Sequence, residues 1–111
     1  MEDILKNNNL LLIVLNAQNW IDHLKLQKHP EGGYFREVYR SQEFMHKKGL
    51  PNRYNSFRNF STSIYFLLES NDISAFHRLK SDEIWHFYEG SPISIYFIIP
   101  SGKLGKMVLS G

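Results

Sequence analysis

Cysteine is absent from the 111 residues. This excludes disulfide frameworks, thiolate metal centres and cysteine nucleophiles. Charge of one sign is scarce as well: 13 Lys and Arg against 11 Asp and Glu leave a formal net charge of +2. So small a balance implies no strong field for nucleic acid or an anionic membrane. Long apolar runs are also missing. The one membrane-like stretch, LLLIVL at 10–15, falls far short of the roughly 20 residues that span a bilayer. As the core of a secretion signal it is slightly short, Glu2 and Asp3 precede it, and no small-x-small cleavage site follows. Residues 1–15, with the polar triplet Asn7–Asn9, therefore read as an N-terminal extension. A cytoplasmic protein is expected, with no membrane partner.

What is present points to a folded domain. Hydrophobic residues make up 42% and aromatic residues 14% of the chain, enough to drive burial that a disordered segment could not achieve. The length suits one domain with a modest core. Asn16 can cap a short helix from Ala17 to about Leu26, with Trp20, Ile21, Leu24 and Leu26 on its apolar face. Pro30 and the pair Gly32–Gly33 end it in the loop HPEGG, whose glycines serve a sharp entry into the next element. Strands are predicted at 34–41, 62–69, 74–79, 83–88 and 93–99, with a last one near 105–109. Turn-forming residues separate them. Short strands, tight turns and a single helix predict an all-β, antiparallel sandwich or barrel.

Residues 42–60 read as a polar loop. Its cations Lys47, Lys48, Arg53 and Arg58, with Tyr54 and Phe57 between them, are read as a solvated surface, not as a nucleic-acid interface. There is no phosphate-binding glycine loop of the Walker type and no nucleophile elbow.

The chemistry concentrates in SAFHRLKSDEIWHFYEG, residues 74–90. Imidazole and carboxylate together can bind a borderline metal, move a proton or hold a polar ligand. Strand parity puts Ala75, His77 and Leu79 on one face. It groups Glu83, Trp85 and Phe87 together, and Ile84, His86 and Tyr88 opposite them. His77 and Glu83 can then share an interior, which His86 joins only through a bulge. On 34–41, Tyr34, Arg36, Val38 and Arg40 share a face, with Phe35, Glu37 and Tyr39 opposite. Arg36 can hold an anion with its planar fork, or pair with Glu37, Glu31 or another acid.

This run resembles the first motif of the cupins: a glycine, five residues, His-x-His, three or four residues, Glu, six residues and Gly. Here the positions read Asn71, His77-Arg78-Leu79, Glu83 and Gly90. Together with LKLQKHPEGGYFREVYRS (24–41), STSIYFLLE (61–69) and FHRLKSDEIWHFYEG (76–90), residues 16–109 are similar to the uncharacterised single-domain cupin family 5. The resemblance implies an antiparallel jelly-roll β-barrel over 16–111 with one short N-terminal helix, a homodimer, and a pocket inside the barrel. Leu79 replaces one metal-binding histidine, and the second cupin motif has no counterpart before Gly111, so the barrel is expected to lack its C-terminal part.

From this the expected function is binding of a small polar molecule. An isomerase or epimerase acting on a sugar-like metabolite is one form of it, with His77 and Glu83 as acid and base. Tyr34, Arg36, Trp85, Phe87 and His86 are the expected ligand contacts. His77 and Glu83 are also the two candidate ligands of a divalent metal, one fewer than the three protein ligands of a catalytic zinc site. A divalent metal is the one cofactor weighed, and the two-ligand count argues against it. The alternative is a non-catalytic binding or structural cupin, or an inactive remnant.

Overall fold

A computed structural model of the chain describes residues 16–111; the expected extension 1–15 lies outside them. The described residues are mostly β with one short helix. They divide into a unit ending at Ala75 and a second unit, Phe76–Gly111.

The first unit opens with helix α1, Ala17–Leu24. The Asn16 side chain accepts a hydrogen bond from the Asn19 amide at 3.0 Å, satisfying one of the donors that a helix start leaves open. Ala17, Trp20, Ile21 and Leu24 form the half-buried stripe, at the spacing of one helical face. The helix stops two residues earlier than the sequence predicts. Lys25 turns into the left-handed region at φ 55°, and the Leu26 amide reaches back to the Ile21 carbonyl at 2.9 Å. That wrap satisfies a terminal carbonyl and buries Leu26, one of the few core side chains.

Next come β1 (Gln27–Lys28), β2 (Tyr34–Arg40) and, after the 42–60 segment, β5 (Thr62–Leu67). They form an antiparallel sheet in the order β1-β2-β5. Within the segment read as a loop lies a second small sheet. It pairs β3 (Phe44–Met45) with β4 (Arg58–Asn59), on either side of a 3-10 turn at Lys47–Gly49. Two-residue strands leave no alternation to detect, so periodicity cannot find them.

The β2–β5 register contains a correction to the parity reading. Glu37 stands opposite Ile64, but Tyr39 stands opposite Ser63. Val38 is thus an extra residue, a bulge that reverses the facing of everything after it. Arg40 therefore shares the face of Phe35 and Glu37, not that of Tyr34 and Arg36. Its guanidinium grips both Glu37 oxygens, Nη2 at 2.5 Å and Nε at 3.2 Å, and donates from Nη1 to Asn59 Oδ1 at 2.8 Å. The Glu37 hydrogen bond, and then its charge, hold Arg40 above the ordinary guanidinium pKa.

The HPEGG loop is folded by backbone geometry, as its glycines predict. Gly32 and Gly33 take φ of 115° and 80°. A Cβ on Gly32 would run into the Ile73 carbonyl, and one on Gly33 would meet the Leu67 carbonyl oxygen at 2.8 Å. The Glu31 carbonyl accepts from the Ala75 amide at 2.8 Å. The loop therefore holds the first residues of the histidine-rich run at Ala75.

In the second unit, β6 (Ile93–Ile98) and β7 (Leu104–Leu109) make an antiparallel hairpin. Its tip, Pro100-Ser101-Gly102, is closed by the Ile99 amide on the Lys103 carbonyl at 3.0 Å. Gly102 supplies φ 87°, the left-handed residue that three-residue hairpin loops use. Phe97 lies over Gly105, where a side chain would collide with its ring.

The predicted strands 74–79 and 83–88 are not part of any sheet. Alternation fixes where side chains point, but a ladder also needs a turn that sets two strands in register. A two-residue hairpin turn requires positive φ, and no residue from 79 to 83 takes it. The sheets of the described residues are three small ones, and no closed barrel forms among them.

Candidate functional site

The residues predicted to carry chemistry fall into both units. In the first, Tyr34 and Arg36 project from the same face of β2, opposite Leu67 and Tyr65. Arg36 Nη1 donates to the Leu24 carbonyl at 3.2 Å. The guanidinium thus sits at the C-terminal end of α1, where the helix dipole favours a cation, and not on Glu37 or Glu31. Glu37 is engaged by Arg40 instead.

In the second unit, His77 and Glu83 stand on either side of the Lys80–Ser81 bend, and both are exposed. His86 is exposed, Trp85 is 38% exposed, and Phe87 is half-buried with its ring against Gly111. Leu79, at the position of the second motif histidine, is 49% exposed. His77, Glu83, Trp85 and His86 are therefore all reached by solvent.

The ends of the motif behave differently. Gly90 takes φ 107°, a conformation that costs any other residue, so the motif's final glycine is used as a glycine. Asn71 is not left-handed, since Lys25 is the one non-glycine residue with positive φ among those described. The turn at 69–72 is held by Asp72 instead: its Oδ2 accepts from the Glu69 amide at 2.9 Å, while its own amide donates to the Glu69 carbonyl at 2.9 Å.

A metal centre does not fit these residues. Among those described, no three His, Asp or Glu side chains gather where they could hold an ion, and Leu79 supplies no donor. His77 and Glu83 alone leave a divalent ion short of the three protein ligands of a catalytic site.

Two features escaped the sequence reading. His29 of HPEGG is half-buried, edge-on to Phe35 at 4.9 Å and to Phe66 at 5.6 Å. Its Nδ1 accepts from the Glu31 amide at 3.1 Å. The other feature is Tyr54, buried beneath Arg53 and Arg58. The only signal for it in the sequence was the density of cations between 47 and 58.

A β-rich domain with this His-Glu-Gly spacing and a glycine-hinged HPEGG entry defines a cupin-type protein. The cupin superfamily (DUF985) profile matches residues 18–111, and the chain belongs to that family. Two solved structures are similar. One is a protein from Shewanella oneidensis, 39% identical with a TM-score of 0.73, the match covering 86% of this chain and 54% of the other. The second is a hypothetical protein from Leishmania major, 31% identical with a TM-score of 0.74, covering 86% and 57%. The chain therefore spans little more than half the length of these relatives. No curated protein matches it. Among the described residues, no helix is long and apolar enough to cross a membrane.

Proposed function

We propose that this chain is a small-molecule-binding cupin whose ligand contacts come from the 77–87 run, with His77 and Glu83 as its polar centre. The observation that carries the reading is the registered His77, Glu83 and Gly90 spacing, with Gly90 in the backbone conformation its motif position demands. An imidazole and a carboxylate exposed to solvent are equipped to exchange a proton with a polar metabolite. In an isomerase or epimerase, one would remove a proton from carbon and the other return it. Trp85 and Phe87 supply apolar surface and His86 a further polar contact. The test is a thermal-shift and calorimetric screen of sugar-like and carboxylated metabolites. His77→Ala and Glu83→Ala should each weaken any hit at least tenfold without unfolding the protein. Unchanged binding in both variants would refute the assignment.

A second reading, binding without catalysis, is favoured by Leu79, which stands exposed where the family motif carries a metal-binding histidine. It predicts ligand affinity with no turnover.

The homodimer belongs to this proposal too. Tyr96, Ile98, Leu104 and Val108 are exposed by half or more. By register they share one face of the β6–β7 hairpin with Ser94 and with Lys106, whose ammonium lies over the Tyr96 ring at 5.6 Å. A second copy covering this face would remove an apolar patch from water.

A further inference from the structure

The tip of the β6–β7 hairpin sets the phase of its ladder. The Ile99 amide donates to the Lys103 carbonyl at 3.0 Å, so residues 99 and 103 form a hydrogen-bonded pair. Bonded pairs alternate with open ones along an antiparallel ladder. By register Phe97 and Gly105, Ile95 and Met107, and Ile93 and Leu109 are then bonded to each other. Ser94, Tyr96 and Ile98 face Val108, Lys106 and Leu104 in open pairs. The amides and carbonyls of Ser94, Tyr96 and Ile98 therefore point away from β7. Among the described residues no other strand pairs with that edge.

An open edge is ordinarily blunted by a charge, a proline or a bulge. The six residues of β6, ISIYFI, include no charge and no proline, and their register against β7 runs without a shift. The outer edge of β7 is different, because Lys106 stands at its middle.

We infer that the outer edge of β6 is a strand-addition site, and that it takes β6 of a second copy, antiparallel, about a two-fold axis at Tyr96. This rests on the homodimer proposed for the chain and states which atoms join the copies. The edge is self-complementary. With Tyr96 opposite the partner's Tyr96, Ser94 meets the partner's Ile98 and Ile98 the partner's Ser94. These are the outward-facing residues, and three such pairs exchange about six backbone hydrogen bonds. On the other face Ile95 meets the partner's Phe97, a favourable aromatic and β-branched combination. The same operation on β7 would set Lys106 against its own equivalent, two like charges directly opposed. Pairing through β6 turns two hairpins, each marginal alone, into one four-stranded sheet. The edges left over are the two β7 strands, each guarded by its lysine, so assembly stops at two copies.

The test is light scattering after gel filtration, with amide hydrogen exchange on the full chain at high and low protein concentration. The mass should be twice 13.1 kDa. The Ser94, Tyr96 and Ile98 amides should be protected at high concentration and exchange at least tenfold faster on dilution. Ser94→Pro removes an outward donor without taking a bond from β7 or a side chain from the apolar face, and should give a monomer. Leu104→Ser with Val108→Ser strips that face and leaves the β6 edge intact, and should remain a dimer. The reverse pattern would overturn edge pairing while keeping the homodimer, with the second copy seated on the face. A dimer retained by both variants, or an assembly larger than two, would also overturn the inference. A monomeric wild type would overturn it together with the homodimer. If Ser94→Pro fails to fold, Ser94→Lys tests the same edge, and the wild-type exchange map is read without any variant.

Discussion

Replacing Gly32 by Ala tests whether HPEGG is a folding device. Gly32 and Gly90 are matched in φ, at 115° and 107°, and differ in surroundings. A Cβ at Gly32 enters the Ile73 carbonyl, whereas one at Gly90 meets nothing within 4 Å. Gly90→Ala should therefore show the backbone penalty alone, about 1–3 kcal/mol for a sparsely populated conformation. A gain of about 0.4–1 kcal/mol from a stiffer unfolded chain offsets part of it. Gly32→Ala should add the cost of moving a backbone carbonyl, on the order of 1–3 kcal/mol as in other overpacked sites. The expected difference between the variants is thus about 2 kcal/mol, a large part of the roughly 5–15 kcal/mol that holds a domain folded. Urea unfolding followed by tryptophan fluorescence reads it directly. With a slope of about 1 kcal/mol/M, the Gly32→Ala midpoint should fall about 2 M below that of Gly90→Ala. Equal midpoints would refute the claim that the Gly32–Ile73 approach is required. The damage should also reach residue 75, whose amide bonds to the Glu31 carbonyl, and hydrogen exchange at the Ala75 amide should accelerate in Gly32→Ala alone.

Other expectations are simpler to check. Lys25→Gly removes the penalty of a non-glycine left-handed residue and should raise stability by about 0.5–1 kcal/mol, measured by the same urea transition. If the apolar hairpin face holds a second copy, light scattering after gel filtration should give twice the 13.1 kDa chain mass, and Tyr96→Ser with Ile98→Ser should return it to a monomer. A monomeric wild type at high concentration would discard that interface.

What the sequence revealed depended on how each element is specified. The helix start was legible because Asn16 caps by local chemistry, and β2, β5, β6 and β7 because each runs six or seven residues. The helix end was missed because Lys25 adopts a conformation that residue type argues against. β3 and β4 were missed because each spans two residues. The Val38 bulge was invisible because parity assumes one residue per step. Its consequence was the largest of these errors: it moved Arg40 across the sheet onto Glu37. The strands predicted at 74–79 and 83–88 failed for the opposite reason. Their alternation is real, but a ladder depends on turn geometry that Lys80-Ser81-Asp82 does not adopt.

The same distinction governs the candidate site. Spacing located His77, Glu83 and Gly90 because a motif is a one-dimensional pattern, and the backbone at Gly90 obeys it. Ligand sets are three-dimensional, and here the donor count decides. Leu79 contributes no donor, and no three donors converge among the described residues. A divalent ion held by His77 and Glu83 alone would lack the ligand number that fixes its geometry and holds it against water. A proton needs no such set. One imidazole and one carboxylate suffice to take it from one face of a substrate and give it back at another. Under the proposed function, hydrogen bonding and proton transfer are therefore the chemistry assigned to the 77–87 run. Added zinc should leave the fluorescence of Trp85 unchanged, while a bound polar ligand should perturb it.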